Sequence, residues 1–260
     1  MTASALSLPL ARAASRRPEV LLLGCRADNL TMAEAVDALM TRLDAGQSTR
    51  VAFVNADCLN IVVRRPAYRR ALDTADLVFM DGAGIRLAGK LLGKPVRDNV
   101  NGTDLFPHLC AALAQRGARL FLLGAAPGIA ERVAGWVAAN HPGVDVVGCQ
   151  HGYYPPEQAG DVLNLIRAAR PDVLLVAFGA PRQDCWLVHN LAATGATLGI
   201  GVGGLFDFYS GAIPRAPRWM RSLGIEWVWR LIQEPGRLWR RYLIGNFSFM
   251  GRVLRARYAR

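Results

Sequence analysis

No run of 18 or more apolar residues occurs in this 260-residue chain, although 52% of it is hydrophobic. A helix spanning a bilayer is therefore not expected. Cysteine is scarce and unpaired: Cys25, Cys58, Cys110, Cys149 and Cys185 are odd in number and never stand in a CxxC spacing. That argues against a disulfide framework or a structural zinc site and fits a reducing compartment. His108, His141, His151 and His189 show no ligand spacing, and neither HExxH nor Asp-x-Asp occurs, so no bound metal is expected. The absence of Gly-x-Ser-x-Gly and of a P-loop ending in Lys-Ser/Thr disfavours serine-hydrolase chemistry and ATP hydrolysis.

What is present is positive charge, and it is unevenly placed. The net charge is +11 and the isoelectric point about 10.2, which calls for an anionic partner. From Ala212 to Arg260 there are eleven arginines, no lysine and two acids, Glu226 and Glu234, a net +9. Four of the six tryptophans, Trp219, Trp227, Trp229 and Trp239, share this segment. It reads as two helices broken at Pro235-Gly236. On a helical wheel Arg237, Arg240, Arg241, Arg252 and Arg255 cluster, with Trp239, Tyr242, Leu243, Phe249, Met250, Val253 and Leu254 opposite and Ile244 out of place. Such a basic, aromatic, amphipathic segment suits an anionic membrane surface. Docking onto the body is the plainer alternative. Nucleic-acid binding is disfavoured, because no aromatic-basic RNA module is present.

From Glu19 to about Leu205 short apolar runs alternate with helical patterns, and Thr31-x-x-Glu34 is a capping box. Runs apolar throughout, such as "RVAFVN", "DLVFMD", "ARLFLLG" and "DVLLVAFG", predict a parallel sheet buried on both faces. The expectation is a Rossmann-like α/β domain over 19–211, a disordered tail over 1–18 rather than a signal peptide, and a basic helical appendage over 212–260. Ligands of open α/β sheets collect at the carboxyl ends of strands. Those ends are Asn55, Asp81, Gly124–Gly128, Tyr153, Gly179–Gln183 and the 201–207 stretch.

Asp81-Gly82-Ala83-Gly84 lacks the third glycine of a dinucleotide fingerprint, since Leu87 stands there, and "LLLGCRADNL" supplies no complete one either. A nicotinamide-dependent oxidoreductase is thereby disfavoured. Asp81 is either a helix cap or a general base at a strand tip. Gly124–Gly128 precedes a helix, so it is either a diphosphate cradle or an ordinary tight loop. Gln183, in the first turn after Gly179, suits hydroxyls or a uracil edge, or is merely surface polar.

The pieces "DLVFMDGAGI", "NGTDL", "LLGAAPG", "AFGAPRQDCW", "GVGGLFDFYSG" and "RAPRWMRSLGIEWVWRLIQEPGRLWRRY" resemble, in order, the WecG/TagA/CpsF family of bacterial glycosyltransferases, from about Val20 to Tyr242. The resemblance implies inverting, metal-independent transfer from a UDP-sugar to a polyprenyl-diphosphate-linked sugar, without a cofactor. It implies a cytoplasmic protein peripheral to the inner membrane face. Asp81 matches the family's general base, with Asn55 and Gln183 beside it and Tyr153 and Asp207 near the nucleotide. Arg230, Arg237 and Arg240 match arginines of an appendage that closes over the site and stabilises diphosphate charge. Two positions depart from the family pattern: Asn99 replaces an arginine, with Arg97 two residues earlier, and Phe53 precedes Asn55. Both are expected in the donor or acceptor pocket. The run "RDNVNGTDLFP" resembles the xanthan-type branch, which implies glucose transferred to glucosyl-diphosphate-polyprenol. The alternative is N-acetylmannosamine or its uronate transferred to N-acetylglucosaminyl-diphosphate-undecaprenol. A basic membrane adaptor without catalysis is the rival from another class.

Overall fold

The computed structural model describes residues 17–259. The expected tail over 1–18 therefore lies almost wholly outside the described residues. The first apolar run departs from expectation. Instead of joining the parallel sheet, β1 (Glu19–Leu22) and β2 (Cys25–Asp28) form a separate antiparallel hairpin. Leu23 and Gly24 both take positive φ (49° and 79°), the geometry of a tight turn that matches strand twist. Burial along β1 alternates, so the run has only one covered face.

The main sheet has six parallel strands: β3 (Thr49–Val54), β4 (Leu77–Met80), β5 (Arg119–Gly124), β6 (Asp145–Gln150), β7 (Val173–Ala177) and β8 (Leu198–Gly201). Their order is β4-β3-β8-β7-β5-β6. Successive side chains point to opposite faces, so each central strand feeds two cores. Val51 and Phe53 join one, while Ala52 and Val54 join the other.

The helices follow in the order α1 (Met32–Asp44), α2 (Ala56–Val62), α3 (Pro66–Asp73), α4 (Ala83–Leu91), α5 (Gly102–Ala114), α6 (Ile129–Asn140), α7 (Ala159–Ala169), α8 (Arg182–Thr194) and α9 (Leu205–Tyr209). The capping box is present on α1: Glu34 N–H donates to Thr31 Oγ1, and Thr31 N–H donates to Glu34 Oε2. Proline at the first position of α3 divides what reads as one helical stretch, because residue 65 before it is pushed to extended backbone. One sheet face is covered by α1, α5, α6 and α9. The hairpin, α2, α3 and α4 cover one half of the other face, and α7 and α8 the remaining half.

Beyond α9 come α10 (Arg218–Ser222), α11 (Glu226–Gln233), α12 (Pro235–Trp239) and α13 (Gly245–Tyr258), the last two joined by a π-turn over Arg240–Ile244. The extra residue of a π-turn shifts the phase of everything after it. The single wheel expected for this segment is accordingly wrong. Arg241 and Arg252 turn inward, whereas Arg237, Arg240 and Arg255 stay outside. α13 lies along α2 and α4. Phe249 and Val253 enter the hairpin-side core, and Arg252 donates to the Leu59 carbonyl at 2.9 Å. Asn60 Nδ2 donates back to the Gly245 carbonyl at 2.9 Å. Docking of this segment on the body is thus observed. Among the described residues no helix is long and apolar enough to cross a membrane.

Candidate active site

Asp81 ends β4, and its N–H donates to the Val54 carbonyl at 2.9 Å, continuing the sheet one residue further. It is not the cap of α4. Gly82 occupies that position, and no side chain bonds the helix start. The carboxylate is therefore free of the structural duty that the cap reading assigned to it.

Asn55 ends β3 beside it and caps α2, its Oδ1 accepting from Cys58 N–H at 3.0 Å. With its oxygen committed to the helix, the amide NH2 is the end that hydrogen-bonds the Asp81 carboxylate. Asn99 reaches the same turn, its Oδ1 accepting from Gly82 N–H at 2.6 Å.

Burial raises the Asp81 pKa to about 6; the Asn55 hydrogen bond and the Arg241 charge oppose this, while Glu226 and Asp104 add to it. A carboxylate poised there is ionised at neutral pH yet basic enough to take a proton in a transition state. Arg241 is held by Asp57, with Nε 3.0 Å from Oδ2.

A polar chain lines the neighbouring wall. Asn101 Nδ2 donates to Asp104 at 2.6 Å, Arg215 pairs with Asp104, and Glu226 stands 3.5 Å from Arg215. Burial pushes the Asp104 carboxyl up, but the Asn101 and Arg215 hydrogen bonds outweigh it and hold the pKa low. Asp104 and Arg215 lie in blocks quoted for the family resemblance without any expectation of their own, and Arg241 figures only among the arginines of the helical wheel. A one-dimensional pattern does not reveal which arginines turn inward.

The other expected residues fall into separate groups. At the tip of β8, two strands or about 10 Å from β4, the Arg230 guanidinium lies over the Phe208 ring at 4.9 Å from its centroid. Arg230 and Arg237 both bond Glu234, at 3.2 and 2.6 Å. Asp207 is part of this group. Burial raises its pKa, and Arg230 and Arg237 oppose the rise.

Gln183 is 4% exposed, and its Oε1 accepts from Gly179 N–H at 3.0 Å and Gly203 N–H at 2.9 Å. It braces the β7 and β8 loops, and neither the surface-polar reading nor one with its oxygen facing a ligand fits. Gly124 and Tyr153 lie at β5 and beyond β6, about 19 and 24 Å across the sheet from β4. Gly124 has φ +124°, and a side chain there would strike the Ala177 backbone at 2.7 Å, so strand contact already requires glycine. Tyr153 is 74% exposed. Arg240 is exposed and stacks on Trp239 at 5.1 Å, and the arginine charge that acts on Asp81 is that of Arg241. Arg241 stands where Arg240 was expected.

Of the two departures from the family pattern, only Asn99 touches this site. Phe53 is a core residue, edge-on to Phe79 at 5.7 Å. Arg97 does not replace the absent arginine, because it makes a bidentate pair with Glu34 at 2.7 and 2.9 Å. Among the described residues no three His, Cys, Asp or Glu side chains are grouped to share a metal ion.

A family model described as "Glycosyl transferase WecG/TagA/CpsF family" matches residues 20–260. A protein of Bacillus spizizenii named N-acetylglucosaminyldiphosphoundecaprenol N-acetyl-beta-D-mannosaminyltransferase is 32% identical over 203 residues, 78% of this chain and 78% of its own.

Proposed function

The chain belongs to the WecG/TagA/CpsF family of glycosyltransferases, and we propose that it moves a hexosyl unit from a UDP-sugar to a polyprenyl-diphosphate-linked sugar with inversion and without a metal. The observation that carries this reading is Asp81, a strand-end carboxylate with no capping duty, held by Asn55 and raised to about 6. In the reaction an acceptor hydroxyl attacks the anomeric carbon as Asp81 takes its proton. The bond from that carbon to the diphosphate oxygen breaks, and UDP leaves with the electron pair. Arg230 and Arg237 face the growing charge of the leaving group, in the manner of preorganised electrostatic stabilisation.

The B. spizizenii relative supports N-acetylmannosamine as the sugar moved and N-acetylglucosaminyl-diphosphate-undecaprenol as the acceptor, ahead of the glucosyl pair. The glucosyl pair stands second, on Asn99 beside Asp81 where much of the family has arginine. Exposed Leu243, Ile244 and Phe247 next to Arg240 support peripheral seating on an anionic membrane face.

The test is transfer by the full chain from UDP-N-acetylmannosamine and from UDP-glucose, each to N-acetylglucosaminyl- and glucosyl-diphosphate prenols, with and without EDTA. Product with at least one pair at an unchanged rate in EDTA is expected. No product with any pair, or strong EDTA inhibition, overturns the reading.

The pH profile carries its own prediction. Asp81 must be ionised to act, so kcat/KM for acceptor falls tenfold per unit below an apparent pKa near 6. Burial also raises the Asp184 pKa, to about 7. The limb near 6 is therefore expected to persist in Asp184→Asn; its disappearance there would assign it to the wrong carboxyl.

A further inference from the structure

In-line displacement requires nucleophile and leaving group on opposite sides of the anomeric carbon, so two diphosphates need two separate anion sites around Asp81. Arg230 and Arg237 provide one. A second cationic feature lies on the outer side of β4. It is a cleft of about 440 Å³ walled by α4, by the loop over 95–99 and by the end of α10 with the turn after it, within the size range of small-molecule sites.

It begins at Ala83, two residues from Asp81, and shares Asn99 with the Asp81 turn. Gly224 creates it. With φ +71° and room for no Cβ (2.7 Å from that of Ala83), this glycine lets the post-α10 turn press against the start of α4.

Arg86, Lys90 and Arg221 line the cleft, and no carboxylate does. Arg86 and Lys90 are exposed, and among the described residues neither has an acidic partner. Arg221 is only 4.0 Å from Asp104, which Arg215 already occupies, and its buried Nε makes no hydrogen bond. Like charges four apart on a helix are destabilising, so this arrangement favours a polyanion between them. Alongside the cations two exposed aliphatic side chains, Leu87 at 47% and Leu223 at 67%, line the same cleft and give it an apolar wall.

We propose that this cleft is the acceptor's prenyl-diphosphate subsite. The diphosphate lies between Arg86, Lys90 and Arg221, the first isoprene units cross Leu87 and Leu223, and the attached sugar projects to Asp81. The inference rests on the transfer reading above and assigns the acceptor end of it.

The experiment pairs kinetics with binding. In R86A/K90A, acceptor KM rises roughly tenfold or more, as loss of charge-assisted hydrogen bonds requires. KM for the UDP-sugar and kcat stay within about threefold, and R86K/K90R restores acceptor KM. Farnesyl diphosphate, probed by thermal shift, protects the wild type and not R86A/K90A, while UDP protects both. Unchanged acceptor KM, an equal rise in donor KM, or equal protection of both proteins by farnesyl diphosphate overturns the proposal. So does inorganic pyrophosphate protecting as well as farnesyl diphosphate, since the apolar wall would then do nothing. If the wild type transfers no sugar at all, the transfer reading fails, and the farnesyl diphosphate arm still decides the cleft.

Discussion

Asp81→Asn lowers kcat for sugar transfer by about three orders of magnitude, within the 10²–10⁴-fold span of general-base catalysis, and leaves UDP affinity within about twofold. Asn is isosteric and remains within reach of Asn55, so geometry survives and proton acceptance is lost. The same variant has a stability signature. A carboxyl whose folded pKa lies above its unfolded value favours the fold when protonated. That favourable contribution is full below about 4, the unfolded value, and is lost as pH rises through about 6. At pH 7.5 the Asn variant therefore melts at or above the wild-type temperature, and the advantage shrinks as pH falls from 6 to 4. A near-normal transfer rate would remove Asp81 from the chemistry. A melting temperature well below wild type at pH 7.5 would show that its charge is stabilised in the fold after all.

Phe249→Ala costs about 3–5 kcal/mol in unfolding free energy, the usual range for a large core aromatic. Phe249 is 1% exposed in the core shared by the hairpin, α2, α3 and α4. Its ring also lies within 3.8 Å of where a Gly84 side chain would begin, one turn from Asp81. In a domain of this size the loss corresponds to a fall of roughly 10 °C in Tm. Phe247→Ala, two residues earlier and 81% exposed, is the control and stays within about 0.5 kcal/mol. Equal, small effects of the two substitutions, measured by denaturant unfolding, would mean that α13 sits loosely on the body.

The parallel sheet was legible because strands covered on both faces must be apolar at every buried position, and "VAFV", "LVFM" and "VLLVA" satisfy that without exception. The hairpin was not, since the run "VLLL" that begins at Val20 is as apolar as those runs and only its alternating burial distinguishes it. Asp81, Asn55 and Asn99 were found from strand-end logic and family pattern together, and they do meet at one turn. Gln183 was found too, with its oxygen spent on loop amides. Asp104, Arg215 and the cleft cations carry no such signal, and Arg241 reads as part of the basic wheel face although it pairs with Asp57 and its charge reaches Asp81. Each lies among many similar residues, and nothing in the local pattern separates an inward guanidinium from a solvated one.

By itself, then, the order of residues determined the layered α/β body, the carboxylate at the tip of β4 and the basic character of the final fifty residues. These follow from short-range periodicity, turn chemistry and composition, which any window of the chain displays. Tertiary structure alone decided which arginines face Asp81, that Arg97 turns to Glu34, and that α13 lies on α2 and α4. Those outcomes depend on a one-residue change of helical phase at the π-turn and on contacts between segments nearly two hundred residues apart, where packing and charge neutralisation decide and local propensity has no vote.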